Sequence, residues 1–560
     1  MTYKPFNCQE ELLRMASNAR PSPRSLFDLR IAPVVAFAAA VNLTATMRAL
    51  WTFVRGRRVR GWNALCAEAN RHSAWSAYWQ HAHKVALLRG ARRIIEERGI
   101  PPVRLAAIIV GGPSDPDAVV RTIKNVSAML GNSLIVAASE DDASNDSEAV
   151  ASLTQAHWDW LLVLRPGDTI DPSLPEVLRL AAADTSGREA WFWDSFDVNA
   201  MAPIIKPDWD PILDRSIDLL AGSLMVSRAI YDEVVATKLG TTIALEVSDA
   251  ARSSLKGPGH LSAMLSFAGA TTVRPIPSLN GPLKDCPMVS IIILTRDRSD
   301  LLIPLFAMLD HLDYQGQVER IVVDNGSTES ELISFLEAHE AQGGLRWLRC
   351  PGPFNFAALN NAAVAEARGE MLCLLNNDIE PQDRSWLSHM VRRAIDPTVG
   401  AVGAMLLYPN GTIQHAGVAI GVGNAAGHVQ RFADPCETRF ANWHAMSRRV
   451  AAVTAACLVI RKAAFEKVGG FDSQQFPVAF NDVDLCLRLQ AEGLHNIYEA
   501  KSRLIHHESL SRGRDNSPEN SARFAAELAA LRLTWHTDTR EDNFWSPLFL
   551  RTSEQCLLVP

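Results

Sequence analysis

Two segments of this chain recur further along it in the same order. LLVLRPGDTIDPSL at 161–174 is echoed by LCLLNNDIEPQDRSWL at 372–387, and AGSLMVSRAIYDEV at 221–234 by AACLVIRKAAFEKV at 455–468. A shared strand–turn–helix template produces one such match by chance; two in order imply a duplicated domain. Each copy alternates apolar strand-like runs with longer helical patterns, which is the pattern of an α/β layer structure. The strand candidates are LAAIIV at 105–110, SLIVAA near 135, WLLVLR at 160–165 and AWFW near 190, then VSIIILT at 289–295, VERIVVD at 318–324 and MLCLL at 371–375. Pro101-Pro102 ends a helical prefix, and Gly281-Pro282 with Asp285-Cys286-Pro287 separates the halves. The expected division is a mostly helical region at 1–100, an α/β domain at 101–280, a second at 281–515, and a helix with an irregular tail at 516–560.

With 560 residues the chain exceeds one ordinary core. Its net charge of −7 argues against general nucleic-acid binding. Nine cysteines without a CxxC pair give neither a disulfide scaffold nor a zinc or redox motif, which reads as a reducing, cytoplasmic setting. No secretory signal pattern opens the sequence, and IAPVVAFAAAV at 31–41 is about half the length that spans a bilayer. Between Arg48 and Arg93 ten Lys or Arg residues face one acid, Glu68, and Trp51, Trp62, Trp75 and Trp79 are interspersed. Such a stretch either rests on an anionic membrane surface or packs its indoles inward and turns its arginines to water.

Three groups in the second half carry chemistry. Asp324, in VVDNGST, ends an apolar strand at the edge where open α/β sheets bind ligands, and can accept a hydrogen bond from a nucleobase; D-N-G-S is also an ordinary turn. Asn376, Asn377 and Asp378 follow a fully apolar strand and precede Pro381. Oxygens two positions apart suit a hard divalent cation that also binds a diphosphate, and an asparagine-rich turn explains them equally well. The third group is FPVAFNDVDLCLRLQAEG at 476–493, where Asp482 is either a helix cap or a general base, and where His506-His507-Glu508 follows after a short apolar run.

Residues 286–515 resemble the inverting family-2 sugar transferases of the GT-A fold, especially the rhamnosyltransferase-like branch that builds bacterial O-antigen. The resemblance lies in VSIIILTRDR, IVVDNGST, GPFNFAALNNAAVAEARGEMLCLLNNDIEP, VGAVGAMLLYPNGTIQHAGV, AAVTAACLVIRKAAFEKVGGFD, VAFNDVDLCLRL and LIHHESLSRG, in that order. It implies a fold class of α/β with two GT-A (nucleotide-diphospho-sugar transferase, Rossmann-like) domains in tandem behind a helical N-terminal extension. It also implies roles. Asp482 would be the catalytic base. Thr295, Asp297, Asp324, Asn360, Asn376 and Asn377 would hold the donor. Asp378, Asn376 and His506 would hold a divalent metal, Mg2+ or Mn2+, with asparagine in place of the first acid of the usual DxD motif. Gln414, His415, Thr454 and His507 would lie near the sugar or acceptor, and Asp484 with Arg488 would support the helix as an i,i+4 pair.

The resemblance further implies a nucleotide-sugar donor, dTDP-rhamnose among the candidates, and a polysaccharide or lipid-linked glycan acceptor. Expected settings are the cytoplasm, with peripheral contact at the inner face of the cytoplasmic membrane through residues 48–93, no nucleic acid, and a homo-oligomer as an open option. The first half resembles the companion domain found ahead of such modules, through KPDWDPILDRSIDLLAGSL at 206–224, and Asp168 stands where the metal motif ends. A QDYDL-like element is missing there: TTIALEVSDAARSSLKG supplies only Glu246 and Asp249. That domain is expected to be degenerate, a second centre using either acid being the alternative. Competing readings for the whole chain are a glycan-binding or assembly protein built on inactive transferase domains, and a nucleotidyltransferase. The latter lacks support because RDRSD, not a glycine-rich phosphate loop, follows VSIIILT.

Overall fold

The computed structural model describes residues 6–9, 11–12, 31–72, 74–110, 116–131, 133–138, 143–237, 243–268, 286–436, 443–507 and 518–558. The boundaries expected near 280 and 515, and Glu508, lie outside the described residues. Helices come first: α1 (Ile31–Val41), α2 (Leu43–Val54), α3 (Arg58–Ala69) and α4 (Trp75–Arg98). Asn42 caps α2 by accepting from Ala45 N. Gly61 lets α3 cross α2 closely, because a Cβ there would lie 2.6 Å from Ala49 O. Trp62, Trp75 and Trp79 are buried in this packing and Trp51 is 57% exposed, so the indole-rich prefix is largely a packing unit. Among the described residues no helix is long and apolar enough to cross a membrane.

The duplication is visible in the sheets. The first contains β1 (Leu105–Val110), β2 (Leu134–Ala138), β3 (Trp160–Leu164), β4 (Thr169–Ile170), β5 (Ala190–Asp197), β6 (Ala202–Ile204), β7 (Leu224–Ser227) and β8 (Gly259–Ala268). Their order is 2-1-3-7-5-8-4, with β6 on β5. The second half contributes β9 (Val289–Thr295), β10 (Val318–Asp324), β11 (Arg346–Arg349), β12 (Met371–Asn376), β13 (Ile379–Pro381), β14 (Val399–Leu407), β15 (Ile413–His415), β16 (Val418–Ile420), β17 (Ala426–His428), β18 (Arg448–Val450), β19 (Cys457–Arg461) and β20 (His495–His506). Its main sheet runs 11-10-9-12-19-14-20-13 with β15 on β14 and β18 on β20, and β16 and β17 form a separate two-stranded sheet. From the second strand position onward the two orders superimpose element for element. In both, parallel central strands read as continuous apolar runs because helices cover both faces.

The KPDWDP segment joins the domains. Asp210 is fully buried; its Oδ1 caps α5 (Pro211–Ile217) by accepting Ile212 N at 2.9 Å and Leu213 N at 3.3 Å, and its Oδ2 accepts Arg449 N of β18 at 2.7 Å. Trp209 packs edge-on against Phe192 and over Gly257. The C-terminal tail crosses the same region: Asp208 N donates to Asn543 O, and Asp542 accepts Ile420 N at 2.6 Å and Phe544 N at 2.7 Å. Trp545, Leu548, Phe549 and Leu558 then share one apolar cluster with Phe53, Trp62 and Trp75 of the helices and with Val422 and Trp443 of the second domain.

Two measurements test this clasp. Asp210→Ala removes a cap and a cross-domain acceptor, and should cost about 1–3 kcal/mol in denaturant unfolding; an unchanged midpoint would show that the domains do not depend on it. Burial pushes the Asp542 carboxyl up to about 6 from its ordinary 3.8. A raised carboxyl favours the folded state below its unfolded value and loses that advantage as pH rises through about 6. Relative to Asp542→Asn, the wild type should therefore lose about 1–3 kcal/mol between pH 4 and pH 6, allowing for partial solvent screening. Parallel stability–pH curves for the two proteins would refute the assignment.

Candidate active site

The carboxyl ends of β9, β10 and β12 meet at one edge of the second sheet. Parallel registers set Thr295 beside Asp324 and Leu294 beside Asn376. Asn377 Nδ2 donates to Thr295 Oγ1 at 3.3 Å, and both residues are buried. Asp324 Oδ1 accepts Ser327 N at 2.8 Å and Ser327 Oγ at 2.6 Å, so the DNGS segment is a side-chain-closed turn at the strand end. Asp297 sits at φ +47 and spends its Oδ1 on Thr328 N and Glu329 N. Those donors, Thr328 N first, hold its carboxyl below the ordinary value. Asn360 faces its own helix, donating to Phe356 O at 2.8 Å, and is 1% exposed.

The second strand edge completes a polar cluster. β13 pairs antiparallel with β20, and Ile379 lies opposite His506. His506 Nδ1 is 2.6 Å from Gln414 Oε1, its Nε2 is 3.2 Å from Asp378 Oδ1, and Asn376 Nδ2 lies 3.4 Å from the same Nε2. With the Nδ1 proton donated to Gln414, Nε2 faces the carboxylate oxygen, and a cation between them, a proton or a metal ion, satisfies both. A carboxylate oxygen and an imidazole nitrogen are two of the ligand types that divalent metal ions take. Among the described residues no group of three His, Cys, Asp or Glu side chains is placed to hold a metal unaided.

Asp482 belongs to a second wall of residues, in the first turn of α7 (Asn481–Ala491). Its Oδ1 accepts Val483 N at 2.8 Å and its Oδ2 accepts Ala455 N at 3.1 Å. Burial nonetheless pushes its carboxyl above the ordinary value, against the lowering effect of those donors and of Thr454. The adjacent Ala456 O accepts Asn376 N at 2.9 Å, so the 454–456 loop ties Asp482 to the Asp378–His506 cluster. Asp484 is buried and points away from it, bound by Arg488 Nε at 2.9 Å and Arg488 Nη2 at 2.7 Å, and accepting Trp535 Nε1 at 2.9 Å. His415 is fully enclosed behind Gln414, 2.9 Å from His428, and burial holds it well below the ordinary histidine value. His507 turns aside to Glu380, 3.1 Å away.

Sequence reasoning overlooked the support of this wall. Phe480 adopts φ +59 immediately before Asn481, a left-handed conformation that costs a bulky residue about 1–2 kcal/mol. The helix α8 (Pro518–Trp535) holds it there: Phe480 packs on Phe524, and Glu527 accepts Val478 N at 3.1 Å and Ala479 N at 2.9 Å. The available signal was one acid within the apolar run AAELAAL. Also overlooked was a stack beyond β14, Tyr408 on Phe432 at 5.1 Å with Arg431 Nε donating to the Tyr408 hydroxyl at 2.7 Å; Phe432 is 57% exposed.

The first domain shows what the same frame lacks. Asp168 precedes β4 as Asp378 precedes β13, but Thr169 pairs with Phe267 where Ile379 pairs with His506. The matching helix, α6 (Ile243–Ser253), opens with buried Ile243 and Ala244. Asp249 is exposed and paired with Arg252 at 2.8 Å, and Glu246 lies in the first turn of the helix.

Residues 290–469 match the family described as Glycosyl transferase family 2. Over 468 residues, 76% of the chain, the sequence is 33% identical to the O-antigen biosynthesis protein RfbC of Myxococcus xanthus, covering 36% of that protein. Over 340 residues, 60% of the chain, it is 38% identical to the uncharacterized protein y4gI of Sinorhizobium fredii, covering 37% of it. A stretch of 68 residues, 12% of the chain, is 40% identical to 22% of the N-acetylglucosaminyl-diphospho-decaprenol L-rhamnosyltransferase of Mycobacterium tuberculosis. The chain spans a little over a third of the length of the first two relatives. Residues 290–469 thus carry a match to glycosyl transferase family 2, the chain folds as two GT-A-like α/β domains in tandem, and its sequence is related to an O-antigen biosynthesis protein and, over 68 residues, to a rhamnosyltransferase.

Proposed function

We propose that the second domain transfers a sugar from a nucleotide donor to a glycan, with inversion at the anomeric carbon. The observation that carries this reading is Asp482: a carboxylate raised by burial, clamped by Ala455 N, and joined through the 454–456 loop to the Asp378–His506 cluster. Asp482 takes the proton of an acceptor hydroxyl while that oxygen attacks the anomeric carbon, and the bond to the diphosphate breaks on the far side. Thr295, Asn377 and Asp324 line the sheet edge that receives the nucleotide. Asp378, His506 and Asn376 would hold Mg2+ or Mn2+, which when bound offsets the charge on the departing diphosphate. Gln414 fixes the His506 ring so that Nε2 faces that position. The exposed Phe432 ring offers a stacking face for an acceptor sugar.

The preferred donor is dTDP-rhamnose, a choice supported by the rhamnosyltransferase named among the relatives. The acceptor is a growing polysaccharide or lipid-linked glycan. The first domain serves as scaffold, a reading supported by Phe267, which pairs with Thr169 as His506 pairs with Ile379 in the second domain.

The test is transfer by purified protein across a nucleotide-sugar panel, with and without Mg2+ or Mn2+. Metal-dependent turnover should fall about 10²–10⁴-fold in Asp482→Asn and persist in Asp168→Asn. Retained activity in the first variant would refute the base; loss only in the second would move the chemistry to the first domain. Because the Asp482 carboxyl is raised, the acid limb of kcat/KM should lie above the ordinary carboxylate range. A limb within that range would argue for a different base.

A further inference from the structure

The N-terminal helices leave one face uncovered. α2 turns Thr46, Ala49 and Phe53 inward, while Leu43, Met47, Trp51 and Val54, spaced along the opposite face, are 64%, 59%, 57% and 70% exposed. Val41 and Val59, 38% and 47% exposed, extend the stripe at its ends. Arg48, Arg55, Arg57, Arg58 and Arg60 surround it, and no acid occurs between Asn42 and Ala67. The Arg55 guanidinium stacks 3.8 Å over the Trp51 ring. All five arginines are exposed, and among the described residues none lies within ion-pair distance of a carboxylate.

We propose that this face of α2 docks on an anionic lipid surface. An apolar ridge with an indole enters the boundary between headgroups and acyl chains, while arginines on long aliphatic stems reach the phosphates around it. The charge decides between occupants: a second copy of the chain would set the same five arginines against one another. Position fits as well. The helices share a core with Ala419, Val422 and Trp443, and the segment holding the first two begins just past Gln414 and His415. A bilayer under α2 thus adjoins the second domain through the helices packed on it. None of the cleft residues belongs to the ridge, so the docking is separable from the transfer reaction.

The test is flotation of the full-length chain with vesicles of phosphatidylcholine alone or with phosphatidylglycerol added. The wild type should float with the anionic vesicles, and less so at high salt. Met47→Glu/Trp51→Glu and Arg55→Glu/Arg58→Glu should each reduce binding about tenfold or more. Both alter exposed side chains, and unchanged thermal unfolding would confirm that they fold. The proposal fails if the wild type ignores anionic vesicles, or if the variants float as well as it does. It also fails if the variants change only the oligomeric state by light scattering, which would assign the face to a second copy.

Discussion

One antiparallel register, Ile379 opposite His506, brings the imidazole to the Asp378 carboxylate. β20 is twelve residues long and runs from the middle of the sheet to its polar edge. Side chains alternate across a strand, so a slip of one residue would turn the imidazole from Asp378 to the other face. The parallel pairing of β20 with β14, and the packing of Ile497 and Leu504 in the apolar layer, prevent that slip. The first domain keeps the same register and places a phenyl ring there. The two copies thus differ less in fold than in which residue the fold delivers to one position.

The second wall is held by different means. α7 does not cap itself with a serine or asparagine; the chain enters it through the left-handed Phe480. Such a conformation persists where its surroundings leave no alternative, and here the surroundings are Phe524 and the Glu527 carboxylate, both from a helix far along the chain. Asp482 therefore depends on α8 for its position and on Ala455 for one of its hydrogen bonds.

Much of this was legible beforehand. The apolar runs at 105–110, 289–295 and 318–324 coincide with β1, β9 and β10 because each holds an unbroken buried apolar stretch, Ala106–Val110, Ile291–Ile293 and Ile321–Val323. The repeated segments foretold the repeated topology. β8 and β20 were harder, since His260, Ser262, Ser266, Glu499 and Lys501 interrupt their apolar pattern. The tryptophans of the prefix illustrate another limit: composition does not say which side of a helix faces water, and three of the four turn inward. Likewise nothing in the spacing of Asn360 or His415 separates a side chain bonded within its own layer from one that lines a cleft.

The path of the C-terminal tail bears on how the molecule assembles. Residues 542–558 supply part of the core that α1, α2 and α3 close around, yet the ribosome makes the helices hundreds of residues earlier. Until the tail emerges, Trp62 and Trp75 lack some of their apolar neighbours, while each sheet can form from segments already made. Residues 31–69 and 545–558 thus reach their final packing together, after the segments of both sheets have been made.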